Sequence, residues 1–176
     1  RLDRDTSGLL MIAKKRSLLR ELHGHLREGQ MHKVYVALLM GRLKGATHRV
    51  SAPLKKDNLP NGERIVRVSS EGKEAVTNFT VLERIGNTTL VEAHIETGRT
   101  HQIRVHAQYL GHPLVGDEKY GNDAFNKQMR AVGINRLFLH ARDLKIRISG
   151  HTKPLALHCP LEADLEAGLE QLRHAQ

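Results

Sequence analysis

Glu83-Arg84-Ile85-Gly86-Asn87-Thr88-Thr89-Leu90-Val91 joins two β-rich runs, 75–84 and 88–96, through a Gly-Asn dipeptide. Two such runs separated by two residues of this kind form an antiparallel hairpin, because the first central position of the turn takes a positive φ that glycine adopts without strain. That hairpin decides the fold class, and the rest of the chain is read outward from it.

Upstream, residues 64–69 form another strand, and Val34, Val36 and Leu38 alternate with Tyr35, Ala37 and Leu39 up to Gly41 as a long one. Between these two, Pro53, Pro60 and Asn61-Gly62 punctuate a loop-rich basic stretch. Near the start, Thr6-Ser7-Gly8 is turn chemistry, and the apolar run 9–13 predicts a buried strand. Ser17 is placed to cap a helix carrying Leu18, Leu19, Leu22 and Leu26 on one face, with Gly29 at its end.

Downstream of the hairpin, a helix begins near Thr100. Ile103, Ala107 and Leu110 form its apolar stripe, which puts His101, Arg104 and Gln108 on another face, and Gly111-His112-Pro113 stops it. Residues 116–121 are a loop, 122–130 a short helix, 137–148 and 155–159 closing strands, and 162–174 a last amphipathic helix. With no repeat, linker or low-complexity tract, the pattern predicts one α+β domain on a mixed, mostly antiparallel sheet with flanking helices.

The chain has 176 residues, 39% of them apolar and 27% charged, enough for one core. No apolar run approaches the ~20 residues of a membrane span, so a transmembrane role is excluded. A single cysteine, Cys159, excludes an internal disulfide and a Cys-rich zinc site and points to the reducing cytoplasm. Lys and Arg number 28 against 19 acidic residues, a net charge of +9 that asks for a polyanionic partner. Residues 14–56 hold eleven basic side chains and only Glu21 and Glu28, whereas 161–172 is acidic, so one end of the molecule is expected to face phosphate. The opening Arg1-Leu2-Asp3-Arg4-Asp5 lacks an initiator Met and a targeting pattern, and is read as the start of a fragment whose preceding segment is missing.

Three segments, 1–8, 98–106 and 138–141, are denser in polar groups than folding requires. Asp3, at a turn before the apolar run, is a carboxylate that a sheet rim can present to a ligand; read alone, it equally satisfies turn amides. Two Arg, two His and one Gln fall within residues 98–106 at a helix start, an anion site or a basic surface turn. His101 and His106 are five apart and share no helical face, and Asp3 and Asp5 straddle an Arg, so no metal is expected. Tyr35, Tyr109 and Tyr120 are the candidates for stacking on a base.

Taken together, these residues resemble the ribosomal large-subunit family of pseudouridine synthases. Arg1-Leu2-Asp3-Arg4-Asp5-Thr6-Ser7-Gly8 is similar to its catalytic-aspartate motif, Lys33-Val34-Tyr35 to its tyrosine motif, Gly98-Arg99-Thr100-His101-Gln102-Ile103-Arg104-Val105-His106 to its third motif, and Phe138-Leu139-His140-Ala141 to its late hydrophobic one. Gly62-Glu63-Arg64-Ile65-Val66-Arg67-Val68-Ser69 further resembles the C branch of the family. The resemblance implies an eight-stranded mixed sheet around a central cleft, residues 1–176 as its catalytic domain, and isomerisation of selected uridines in 23S rRNA. It also implies no cofactor.

By the same resemblance Asp3 is the nucleophile or charge stabiliser at C1′. Arg104 restrains it and keeps it ionised, and Tyr35 stacks on the base and helps remove the C5 proton. Leu139 closes the pocket, and Arg99, His101, Gln102, Arg1 and Arg4 contact substrate. The expected partner is 23S rRNA, the expected state a monomer. Two other readings stay open on the residues alone: a non-catalytic rRNA-binding module, and a metal-dependent nuclease using Asp3, Asp5 and His101.

Overall fold

A computed structural model describes residues 2–60 and 62–175; Arg1 and Asn61, named above, lie outside the described residues. In chain order the elements are β1 (Ser7–Gly8), α1 (Arg16–Arg27), β2 (Met31–Met40), β3 (Thr47–Ser51), β4 (Leu54–Asn58), β5 (Arg64–Val68), β6 (Val76–Ile85), β7 (Thr88–Ile95), α2 (Gln102–Tyr109), α3 (Asp123–Arg130), β8 (Leu139–Ile146), β9 (Leu155–His158) and α4 (Ala163–His174). Among the described residues no helix is long and apolar enough to cross a membrane.

β2 is central. It pairs antiparallel with β7 on one side and β8 on the other, and β6 and β3 continue the sheet beyond β7. The Gly86-Asn87 hairpin is as predicted: Ile85 pairs with Thr88, and Gly86 has φ +53. The outer edge of β8 is divided between two partners, β1 running parallel at His140 and Ala141, and β9 antiparallel from Asp143 to Ile146. The sheet is therefore mixed and mostly antiparallel, as expected, but among the described residues it has seven strands where eight were expected. β4 and β5 form a separate pair, because Pro53 interrupts the chain between β3 and β4 and turns it off the sheet. Both β3 and β4 fall in the stretch read as loop.

Strand periodicity of two distributes β2 between two cores. Tyr35, Ala37 and Leu39 join Phe79, Val91 and Ala93 on one face, packed against Ile103 and Ala107 of α2. Val36 and Leu38 join Ile85 and Leu90 on the other, beneath Leu165, Leu169 and Leu172 of α4 and Phe125 and Met129 of α3. Leu22 of α1 packs on Met31, Leu144 and Ile146 at one end of the first face, so α1 and α2 flank an uncovered strip of that face. The β4–β5 pair leans on α2 through Leu54, Val66, Val105 and Tyr120.

Two local expectations are corrected. Residues 9–13 are not a buried strand: Leu10 and Ile12 are 55% and 81% exposed, and only Leu9, Met11 and Ala13 pack inward. After the Leu9 N–H donates to Ala141 O, the β8 edge is taken by β9 and offers no further ladder. Ser17 is not the cap of α1. The N-cap is Lys15, with no side-chain bond, whereas Gly29 does follow the helix in a left-handed conformation. The α3 start matches its sequence signal, with the Asn122 side chain accepting from the Phe125 N–H.

Candidate active site

On the uncovered strip between α1 and α2 the structure opens a cleft of about 670 Å³. Lys33 and Tyr35 of β2 form its floor with Leu139 of β8 and Ile95 of β7; Asp3 and Thr6 enter from one rim, Arg99, His101 and Gln102 from another. Tyr35, Leu139, Arg99, His101, Gln102 and Asp3, far apart in sequence, thus share one cavity. Tyr35 is buried, and that burial, with the Asp3 charge nearby, pushes its hydroxyl up to about 12.

The position of Asp3 follows from β1. Ser7 Oγ lies 2.9 Å from His140 Nδ1, and His140 Nε2 donates to Cys159 O at 3.0 Å, which leaves Nδ1 to accept from the serine. Gly8, at φ +101, lies flush on β8; a Cβ there would fall 2.2 Å from Ala141 O. One turn earlier the Thr6 N–H donates to Asp3 O at 3.1 Å, so the aspartate sits on a short, pinned loop.

Arg104 is on α2, one turn in, and aims at Asp3 as expected, with Nη1 3.6 Å from Oδ2. Its main partner was missed in the sequence. Asp117, buried in the 116–121 loop, takes Nε at 2.7 Å and Nη2 at 2.9 Å in a bidentate fork, and its Oδ1 also accepts from the Lys119 and Tyr120 N–H groups. Burial alone would push the Asp117 carboxyl up, but the Arg104 hydrogen bonds and charge hold it below the ordinary range. Arg104 itself is raised by the same contacts against its own desolvation. The carboxylate that Arg104 keeps from being stranded in the interior is Asp117; the Asp3 side chain is 22% exposed. The only sequence sign of this is an Asp placed to make an Asx turn between two glycines, with nothing to link it to a helix thirteen residues back.

The other predicted residues divide. His101 is not on the helix face; it precedes α2 as N-cap with φ +54, and this left-handed backbone turns its Nδ1 to within 2.7 Å of the Tyr120 hydroxyl. Tyr120 accepts from the Val66 N–H and lies 5.0 Å beneath the Arg104 guanidinium, so it ties the β4–β5 pair to the site and is no stacking platform. Desolvation pushes the His101 imidazole down. Gln102 is buried and fully engaged: its oxygen accepts from Thr97 Oγ1 and the Arg99 N–H, its nitrogen donates to Val76 O and Thr77 Oγ1. It shapes the loop and has no polar atom left for substrate. Arg99 Nε is tied to Glu74 O. Arg4 is not brought into the cleft but lines a hollow beyond Arg104 with Asp5, Glu63 and Asp117. Tyr109 is 61% exposed on α2. Among the described residues no three of His, Cys, Asp or Glu are grouped to hold a metal ion, Asp3, Asp5 and His101 included.

Several basic side chains of residues 14–56 lie away from the cleft. Arg42 donates to Gly86 O at the hairpin end of the sheet, and Arg49 pairs with Glu96. Lys55 and Lys56 instead join Lys73 and Arg99 in a groove that meets the cleft at Gly98 and Arg99. The acidic α4 is on the opposite face.

The chain is similar to known proteins. Ribosomal large subunit pseudouridine synthase C of Escherichia coli (strain K12) is 50% identical over 178 residues, covering 100% of this chain and 56% of the relative. The protein of that name from Haemophilus influenzae is 49% identical over 176 residues, covering 100% and 55%. The chain thus spans little more than half the length of these relatives. Among solved structures, human RNA pseudouridylate synthase domain containing 1 superposes with a TM-score of 0.79 at 29% identity, covering 99% of this chain and 77% of that one. Human RNA pseudouridylate synthase domain containing 4 gives 0.79 at 26%, covering 98% and 74%. The family profile described as RNA pseudouridylate synthase matches residues 1–109, which hold Asp3, Tyr35 and Arg104, and on this match the chain belongs to the RNA pseudouridylate synthase family.

Proposed function

We infer that the chain isomerises selected uridines of 23S rRNA to pseudouridine, with Asp3 at the reacting sugar. The observation that carries this reading is the Asp3 carboxylate at the rim of a cleft floored by Tyr35, facing an Arg104 guanidinium that is itself locked on Asp117. The chemistry needs three things of the protein. The N1–C1′ bond must break, so a carboxylate near C1′ either bonds to that carbon or stabilises its positive charge. The detached base must be held while it turns, which a buried aromatic face does by stacking; Tyr35 supplies it. Water must be kept out, since hydrolysis of the opened bond would leave an abasic site, and Leu139 and Ile95 line the cleft for that.

As the base rejoins through C5, the C5 proton leaves and N1 gains one, so the atoms balance without a co-substrate. Tyr35, neutral over the physiological range, would act as a relay, its hydroxyl oxygen taking the C5 proton as its own hydroxyl proton passes on toward N1. A paired uridine must first leave its helix, and Arg99 and His101 stand at the rim where flanking nucleotides would pass. The same reading makes 23S rRNA the partner and the cytoplasm the compartment, and it needs neither cofactor nor second subunit.

The test is to incubate unmodified 23S rRNA with wild-type and Asp3→Asn protein in EDTA and map pseudouridine by carbodiimide and primer extension. Wild type is expected to produce new stops and Asp3→Asn none. No stops with wild type would refute the synthase reading. Stops with Asp3→Asn would refute the role of Asp3, and a variant indistinguishable from wild type in RNA binding alone would fit a binding module.

A further inference from the structure

Lys33 occupies the floor of the cleft two positions before Tyr35, on the same face of β2 and opposite Leu144 of β8. It also lines an adjoining hollow of about 690 Å³ beneath α1, with Leu22, Leu26, Met31, Leu144 and an Asp143 whose carboxylate is taken by Arg142 and His158, so its side chain is part of the partition between the two. Arg104 is answered by Asp117, Lys119 by Glu63 and Lys55 by Glu71, and Arg99, in the same cleft, donates to the Glu74 carbonyl. Among the described residues the Lys33 ammonium makes no ion pair and no hydrogen bond, and burial pushes it down with no charge to oppose the effect. A half-buried ammonium without a partner destabilises the fold, and a methionine of similar length would suit the surrounding leucines better. Such a cation in a substrate cleft is retained where the ligand brings the negative charge.

We propose that Lys33 is a further substrate-binding residue of this site, its ammonium engaging an anionic oxygen of the uridine nucleotide in the cleft. The inference rests on the isomerase reading. When the N1–C1′ bond breaks, its electron pair leaves with the base, which becomes an anion with charge on its carbonyl oxygens until C5 returns the pair to C1′. A cation fixed beside the aromatic floor stabilises that anion in a cleft from which water is largely displaced. The phosphate next to the target uridine presents the same chemistry, and the two sources separate experimentally.

The full chain is compared as wild type, Lys33→Met, Lys33→Arg and Asp3→Asn, reading melting temperature, RNA Kd against salt, and single-turnover conversion of 23S rRNA. Lys33→Met is expected to melt higher than wild type and to convert about 100-fold more slowly at unchanged Kd if the base oxygen is the ligand. If the phosphate is the ligand, Kd weakens and the slope of log K against log salt falls by about 0.7 to 0.9 at unchanged rate. In either case Lys33→Arg recovers most of the loss. Lys33→Met with wild-type rate and Kd overturns the inference, and so does a Met variant that melts lower and whose defect Lys33→Arg does not relieve, since that is a packing role. Conversion by wild type and none by Asp3→Asn, with Lys33→Met unaffected, overturns this inference alone; no conversion by wild type overturns the isomerase reading and this inference with it.

Discussion

Asp117 sets the direction of Arg104, the cation that pairs with Asp3 among the described residues. Its fork takes Nε and Nη2 of Arg104 and leaves Nη1 for the substrate side. Replacing Asp117 by Asn removes a buried charge and strands another, a loss of about 3 to 5 kcal/mol. The expected result is a markedly lower melting temperature and slower conversion. Since the folded-state pKa of Asp117 is depressed, its contribution is complete above the ordinary carboxylate range near pH 4 and is lost as pH falls through the lower folded value. Urea unfolding between pH 2.5 and 6 is expected to show a shallower acid limb in Asp117→Asn than in wild type; Glu21, Glu83, Glu92, Asp143 and Asp164, also depressed, supply the remainder. An unchanged limb would mean that Asp117 titrates alike folded and unfolded.

At the scale of the element, the two-residue strand β1 carries the aspartate loop and is held by few bonds, so its glycine matters more than its length. A Cβ at Gly8 meets the Ala141 backbone at a position whose φ of +101 already disfavours any other residue. Gly8→Ala is expected to cost at least 1 to 3 kcal/mol and to push β1 off β8. Because Asp3 would move with it, conversion at a temperature where the variant is still folded is expected to fall further than RNA affinity does. Thermal unfolding and single-turnover rate on one preparation check this; a variant as active as wild type would show that the loop is positioned by something other than β1. The edge sharing that shortens β1 also leaves Leu10 and Ile12 in solvent.

At the scale of the molecule, charge is sorted by face. The cleft and the Lys55, Lys56, Lys73 and Arg99 groove lie on one side of the sheet, and acidic α4 covers the other. On the proposed rRNA reading, phosphate contacts by these exposed lysines would add a sequence-independent, salt-sensitive part to RNA binding. The double variant Lys56→Ala/Lys73→Ala is expected to lower the slope of log K against log salt by about 1.5 and to weaken binding alike for target and non-target RNA. Filter binding from 50 to 300 mM salt measures it, and an unaltered slope would place the phosphate track elsewhere.

What the sequence determined by itself was local or motif-borne: the Gly86-Asn87 hairpin, the long β2, the α2 stripe with Arg104 turned off it, and the polar residues at 1–8, 98–106 and 138–141. Each is carried by spacing within one element or by a short ordered run of side chains. What only the tertiary structure decided was non-local. β3 and β4 lack a strand-like alternation of their own, and the continuous apolar run Leu9 to Ala13 loses its edge to β9. Asp117 and Lys33 look like an ordinary loop acid and an ordinary strand base until packing shows one wholly paired and the other unpaired. Periodicity reports which face a residue takes along its own element. Which edge is free, and which buried charge meets a partner, depend on where distant elements dock, and the solvation cost of those charges exists only once they have done so.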